Sequence, residues 1–202
     1  MKYDVFSPLL VHLQLAATGV LITMVTGISL GVFLKKRPKL ANVILQIADV
    51  LQTIPTLAML SIFCAWFGLN NKPVIVSIIL YSMLPILRST YIGITEVSPS
   101  LTRAARGIGM KESQILLKVE VPLALPVILS GVRIAFVSAL GIVTTGVLVG
   151  SGGLGMLIWR GMQTRNWSMV MYGAIPVSLL ALFWDLLTSF FEKKLAAKYN
   201  KQ

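Results

Sequence analysis

The sequence predicts an all-α, multi-pass membrane protein with about five transmembrane helices, from its composition, its apolar runs and its charge distribution. Hydrophobic residues make up 56% of the 202 residues and charged residues only 12%, about half of the ~25% that soluble domains carry. Five apolar stretches are long enough to cross the ~30 Å hydrocarbon core as helices. The length predicts a single transmembrane domain, 1–202, with no separate soluble domain.

The first predicted span covers residues 9–34 and carries no formal charge. Four positive charges follow in the loop 35–39, whose proline ends the helix. The second apolar run covers residues 40–69, of which about 44–69 is expected to cross the membrane with a kink at Pro55. The polar residues at this kink either line a translocation path or satisfy the freed backbone groups; the candidates are Gln52, Thr53, Pro55 and Thr56.

Three further spans are predicted at 74–95, 127–149 and 169–191. The glycine-rich connection 150–168 is too broken to cross a bilayer, so we expect a short interfacial or re-entrant segment there. The polar loop 98–126 is the longest non-membrane interruption between the spans.

The basic residues predict the topology. Of the 18 Lys and Arg residues, twelve lie in the loop 35–39, the loop 98–126 and the C-terminal tail. Positive residues collect on the cytoplasmic side of membrane proteins, which predicts an external N-terminus, a cytoplasmic C-terminus and a cytoplasmic loop 98–126. The net charge of +11 is explained by this distribution, so the expected partner is the lipid bilayer and not nucleic acid.

Enzyme signals are weak. The chain has one histidine, His12, and one cysteine, Cys64, so a site built from several His and Cys ligands is not expected, and no residue is assigned a catalytic, cofactor-binding or metal-binding role. The segment SGGLG at 151–155 lacks the GxxxxGK[ST] pattern of a phosphate-binding loop. We expect His12 to lie at the membrane interface.

Four charged residues fall inside the predicted spans: Asp49, Arg88, Arg133 and Asp185. Charges in a membrane are costly and suggest function. All four are predicted near cytoplasmic helix ends, however, where they either pair with one another or extend toward water.

The loop 98–126 is predicted to fold as two short helices. Ser98 and Pro99 favour a helix start, and Gly107 and Gly109 favour its end and a sharp turn. A second helix is expected to turn Ile115, Leu116 and Val119 toward the membrane helices and Lys111, Glu112, Lys118 and Glu120 toward water, and to stop at Pro122. Such a rigid cytoplasmic projection suits binding of a soluble partner.

This loop resembles the EAA motif of ABC importer permeases, E-A-A-x-x-x-G-x(9)-I-x-L-P. Here the motif reads Arg103-Ala104-Ala105, then Gly109, then Val119-Glu120-Val121-Pro122, at the required spacings. Arg103 replaces the usual glutamate, and valines replace the isoleucine and leucine. The segments 52–60, 105–131 and 150–161 are similar to permeases for glycine betaine, carnitine and choline.

The resemblance implies a type I ABC importer fold in the cytoplasmic membrane of a bacterium. It also implies a second permease subunit, identical or homologous, a cytoplasmic ATPase dimer that binds ATP and Mg, and an extracellular substrate-binding protein. The residues implied in ATPase coupling are Arg103, Ala104, Ala105, Gly109, Val119 and Pro122. No cofactor is expected on this chain itself.

Three alternatives stay open at the level of sequence. The same machine could carry another small solute, such as methionine or other amino acids. An ion-coupled secondary transporter would require inverted repeats and a mid-membrane ionisable residue, neither of which is evident. A membrane scaffold without transport activity would leave the paired helices of the loop 98–126 unexplained.

Overall fold

The structure, a computed structural model, describes residues 4–199, and all regular structure in this range is helical. A π-helical turn, Leu116–Glu120, lies directly before the helix Val121–Thr145, and a 3₁₀ turn, Gly146–Val149, follows that helix. The nine α-helices of this range are α1 (Phe6–Leu34), α2 (Pro38–Thr53), α3 (Thr56–Phe67), α4 (Lys72–Thr95), α5 (Pro99–Gly107), α6 (Glu112–Ile115), α7 (Val121–Thr145), α8 (Gly155–Gln163) and α9 (Trp167–Tyr199).

Helices α1, α4 and α7 form the central bundle, and their buried side chains make the main apolar core. Glycines let α1 approach α4 closely, because a Cβ at Gly19 would lie 2.4 Å from Ile78 and one at Gly31 would lie 2.7 Å from Thr90. Small residues at such contacts are the usual means by which membrane helices pack, since lipid removes the hydrophobic drive between them.

Four helical segments in the described part of the chain are long and apolar enough to cross a membrane: Phe6–Leu34, Lys72–Thr95, Glu112–Val149 and Trp167–Lys198. They contain four of the five predicted spans in full. The 38 residues of Glu112–Val149 measure about 57 Å at 1.5 Å per residue. This exceeds the ~30 Å hydrocarbon core, so part of the segment extends beyond the membrane.

The remaining span, predicted at about 44–69 with a kink, is a helix pair bent by 94°. Ile54 adopts an extended conformation, with φ −69° and ψ 126°, because a residue that precedes a proline avoids the α region. The 12 residues of α3 reach only about 18 Å. Pro55 therefore separates two helices at a sharp corner and does not simply kink one.

The segment 150–168, expected to be interfacial or re-entrant, contains a loop and the short helix α8, which packs against α9. Positive φ angles at Gly150 and Gly153, 79° and 107°, turn the chain within this loop. Helix α9 exposes large apolar side chains along its length, such as Leu179, Phe183 and Phe190. This surface suits contact with lipid.

Gly131 of α7 offers a test of the central packing. A Cβ at this position would lie 2.5 Å from the Pro85 carbonyl oxygen and 2.5 Å from the Ser89 Oγ of α4. We expect Gly131→Ala to destabilise the protein by about 1–3 kcal/mol, because the two helices must separate. Thermal unfolding in detergent micelles measures the loss. Gly141→Ala in the same helix is the matched control, since nothing lies within 4 Å of a Cβ there; equal melting temperatures for the two variants would contradict the packing.

Candidate functional site

The first candidate site is the loop 98–126, which folds as two short helices joined by a turn. Helix α5 occupies Pro99–Gly107, as predicted. Ser98 does not cap it through its side chain, which instead lies 2.7 Å from the Ser100 hydroxyl. The helix ends in a Schellman turn: the N–H of Met110 donates to the Ala105 carbonyl oxygen, and that of Gly109 to the Arg106 carbonyl oxygen.

Gly109 has a φ of 83°, the left-handed conformation that this turn requires at its C′ position. Across the turn, the Arg106 Nε donates to the Glu112 Oε1 at 2.7 Å. This hydrogen bond lowers the pKa of the Glu112 carboxyl group, so the pair stays ionised at neutral pH. The two arms of the loop are thus held by both backbone and side-chain bonds.

One face of α5 presents an exposed apolar stripe. Leu101, Ala104 and Ile108 follow one another at the i, i+3, i+7 spacing of a single helix face, and all three are exposed, Ile108 to 80%. Arg103 is also exposed beside the stripe. Ala105, by contrast, is only 6% exposed and faces the interior of its own chain.

The second arm differs from the sequence prediction in two ways. Glu120, expected to face water, is 3% exposed and forms an ion pair with Lys35 at the end of α1. Pro122, expected to stop the helix, lies in the first turn of α7, where its missing N–H is tolerated. The arm therefore continues into the membrane bundle without a break, and Val119 and Pro122 are half-buried in it.

The π-turn explains the orientation of Glu120. In a regular α-helix, residues five apart point about 140° away from each other. Between α6 and α7 the Val121 N–H bonds to the Leu116 carbonyl oxygen, five residues back, which widens the turn. Residues five apart then return toward one face. Glu120 consequently lies on the buried side with Ile115.

The second candidate site surrounds the corner between α2 and α3. The Gln52 Nε2 donates to the Tyr81 carbonyl oxygen at 2.7 Å, and the Tyr81 hydroxyl donates to the Ile54 carbonyl oxygen. Tyr81 is four residues before Pro85, whose missing N–H leaves that carbonyl without its helical partner. Gln52 therefore satisfies a backbone carbonyl freed by a proline. That proline is Pro85 of α4, however, and not Pro55.

A cavity of about 300 Å³ opens beside this corner, between α2, α4 and α7. Of the four residues predicted to line a path, Gln52 borders it; Thr53 and Pro55 are exposed nearby, and Thr56 is half-buried. The residues that line the cavity are Gln52, Leu84, Pro85, Arg88, Ser89, Ile134 and Ser138. Sequence reasoning did not assign Ser89 or Ser138 to a path, because nothing in the spacing relates them to Gln52.

The charged residues of the predicted spans pair with one another. Arg88 donates through Nη2 to both carboxylate oxygens of Asp49, at 2.8 and 2.6 Å. Arg133 approaches Asp185 at 3.8 Å and Glu192 at 3.5 Å. Of the two expected outcomes, pairing or extension toward water, the structure shows pairing for these residues, and Arg88 of the first pair lines the cavity.

His12, expected at the membrane interface, is fully buried inside its own chain. Its Nε2 lies 3.1 Å from the Leu140 carbonyl oxygen, and its Nδ1 lies 3.3 Å from the Leu154 backbone nitrogen. The second contact makes Nδ1 an acceptor, so Nε2 carries the proton of a neutral ring. His12 thus joins α1, α7 and the 150–154 loop through backbone contacts, a structural role.

The chain matches the family described as "Binding-protein-dependent transport system inner membrane component" over residues 23–197. It belongs to this family and is a multi-pass membrane component of a binding-protein-dependent transport system. It is a transport subunit and not an enzyme.

Individual relatives agree with this assignment. The chain is 40% identical over 192 residues to the carnitine transport permease protein OpuCD of Listeria monocytogenes serotype 1/2a (strain 10403S), covering 95% of this chain and 86% of the relative. It is equally identical over 192 residues to the glycine betaine/carnitine/choline transport system permease protein OpuCD of Bacillus subtilis (strain 168), covering 95% and 84%. Both relatives are permease proteins, as predicted.

The fold also matches a solved structure. A chain of the MetNI methionine ABC transporter, in an inward-facing conformation, superposes with a TM-score of 0.81 and covers 94% of each chain at 21% identity. At this identity the match defines the fold alone, the transmembrane fold of a type I ABC importer that the sequence predicted.

Proposed function

We propose that this chain is the permease subunit of an ATP-driven importer for quaternary-ammonium compatible solutes, namely glycine betaine, carnitine and choline. The observation that carries the proposal is the 40% identity across 95% of the chain to permeases named for these solutes. The predicted coupling loop and the polar cavity supply two features that such a subunit needs, a surface for a soluble partner and a lined space between helices.

The exposed stripe of Leu101, Ala104 and Ile108 supports docking of an ATPase. An apolar helix face with anchors at i, i+3 and i+7 suits insertion into a groove of a soluble protein. The ATPase subunits, two per transporter, would bind the ATP and Mg, so this chain needs no cofactor of its own. Closure of the ATPase dimer would move the loop and, through the continuous helix Glu112–Val149, the bundle.

The remaining assembly follows the same proposal. The N-terminus faces the outside and the C-terminus the cytoplasm of a bacterial cell, in its cytoplasmic membrane, as the basic residues favour. A second permease subunit, identical or homologous, completes the path, and an extracellular binding protein delivers the solute. Among the coupling residues, Arg103 and Ala104 lie on the exposed side, whereas Ala105, Gly109, Val119 and Pro122 shape or anchor the loop.

The cargo alternatives rest on weaker support. The methionine transporter is similar in fold only, so it does not favour amino acids as cargo. Membership in a binding-protein-dependent family favours ATP-driven import over an ion-coupled carrier or a scaffold.

Uptake by the assembled complex tests the proposal. Proteoliposomes that contain the permease pair, the ATPase and the binding protein are given labelled glycine betaine, carnitine, choline and methionine, with and without ATP. We expect ATP-dependent uptake of at least one of the three quaternary amines and none of methionine. Uptake driven by a proton gradient without ATP, or uptake of methionine alone, would contradict it.

A further inference from the structure

The cavity between α2, α4 and α7 has the composition of a small polar binding site. Polar side chains border it on three helices: Gln52 on α2, Arg88 and Ser89 on α4, and Ser138 on α7. Its volume of about 300 Å³ is at the lower limit of ligand pockets, which range from ~300 to ~1,000 Å³. A cavity of this size suits a small solute.

Arg88 lines this cavity, and Asp49, which does not line it, lies next to the guanidinium as its ion-pair partner. Only Nη2 of the guanidinium bonds to Asp49, and within residues 4–199 no other group hydrogen-bonds to Arg88 Nε or Nη1. The side chains of Arg88 and Asp49 are 42% and 46% exposed. Both partners therefore remain accessible, and the free donors of the guanidinium let a solute carboxylate approach before the Arg88–Asp49 pair opens.

The exposed face of α7 beside the cavity is apolar at its ends and polar in its middle. Ser138, Gly141 and Thr145 are exposed there between the apolar residues Ile134 and Leu148. Helix α9, in contrast, exposes leucine and phenylalanine side chains. Charged side chains in contact with hydrocarbon are costly, and Arg88 lines the cavity with its side chain 42% exposed, so the cavity borders water or another protein, where a solute can pass.

We propose that this cavity is a transit site for zwitterions that combine a carboxylate with a quaternary ammonium group, with Arg88 as the carboxylate-binding residue and Asp49 as the residue that faces the cation. This inference rests on the proposed function and adds the residues that recognise each end of the solute. The guanidinium offers the planar donor arrangement that a carboxylate prefers. A quaternary ammonium has no N–H, so its attraction to Asp49 is Coulombic and tolerates a loose fit.

The exchange of partners keeps every charge compensated. When the zwitterion enters, the Arg88–Asp49 pair opens and two new pairs of opposite charge replace it. Because one ion pair must be lost to gain two, the net affinity stays low. A low affinity is what a transit site requires, since a solute that binds tightly leaves slowly.

The carboxylate gives a sharp test, because choline has the same ammonium group and no carboxylate. In the proteoliposomes described above, we expect Arg88→Gln to reduce the ratio of glycine betaine uptake to choline uptake at least tenfold, as the loss of a charge-assisted hydrogen bond predicts. The ratio of carnitine uptake to choline uptake should fall in the same way. The double variant Arg88→Gln/Asp49→Asn removes both charges together, so Asp49 is not left as an unpaired charge. It should lower the ratio of glycine betaine uptake to choline uptake in the same way.

Arg133→Gln is the matched control, since Arg133 also lies in a membrane helix beside acidic residues but does not border the cavity; its uptake ratio should equal that of the unmodified protein. If both Arg88 variants lower the uptake of all three solutes by the same factor, Arg88 has a structural role and the transit site is wrong. If the unmodified complex carries none of the three solutes, the proposed function itself fails, and this inference with it.

Discussion

Replacing Ile108 by aspartate is expected to reduce ATP-driven uptake at least tenfold while the permease still folds. Ile108 is 80% exposed in the loop 98–126, so a charge there meets water in the isolated chain. In a docked complex the same carboxylate would be buried in an apolar groove, which costs several kcal/mol. Uptake in proteoliposomes and copurification of the ATPase subunit measure the effect.

Two variants control for the loop. Ile108→Leu keeps the apolar anchor and should retain uptake and copurification. Ser113→Asp places the same charge on an exposed residue of α6, away from the stripe, and should behave as the unmodified protein. If Ile108→Asp retains full uptake, the stripe is not the ATPase contact. Ala105→Glu is a poorer test of docking, because Ala105 is buried in its own chain and a charge there perturbs folding.

Replacing Lys35 by methionine is expected to destabilise the permease by about 3–5 kcal/mol, the cost of leaving one partner of a buried ion pair uncompensated. Glu120 is 3% exposed, so its carboxylate loses its ion-pair partner while most of it stays away from water. The pair connects the end of α1 to the start of α7, so uptake should fall together with stability. Chemical unfolding of the purified chain in detergent measures the loss.

The double variant Lys35→Met/Glu120→Leu removes both charges and should recover most of the lost stability, because a buried ion pair is replaced by apolar groups at little net cost. Lys36→Met changes the neighbouring lysine, which is exposed, and should have little effect. A double variant no more stable than Lys35→Met would show that Glu120 is not the charge that Lys35 compensates.

Local signals predicted the shape of the loop 98–126 well. Pro99, Gly107 and Gly109 act through their own backbone preferences, so the boundaries of α5 and the sharp turn follow from short-range chemistry. The direction in which Glu120 faces does not follow, because the π-turn shifts every later side chain around the helix. Its position depends on the ion pair with Lys35, a residue 85 positions away.

The corner at Pro55 also depends partly on a local signal and partly on contacts between distant residues. A proline in an apolar run predicts a bend, but the 94° angle is held by Gln52 and Tyr81, whose bonds join α2 and α4. The predicted path residues follow from the polarity of the sequence around that proline. The sequence identifies Arg88 and Asp49 as costly charges in membrane helices, but it does not show that Arg88 lines a cavity.

The sequence alone determined the membrane class, four of the long apolar helices, helix α5 and the family, because hydropathy, charge clusters and turn residues act over short stretches of chain. The tertiary structure alone decided which side chains are buried and which meet. Ala105 turned inward, Glu120 paired with Lys35, and polar residues of α2, α4 and α7 gathered around one cavity. These outcomes depend on helix rotation and on contacts between distant residues, which no local pattern encodes.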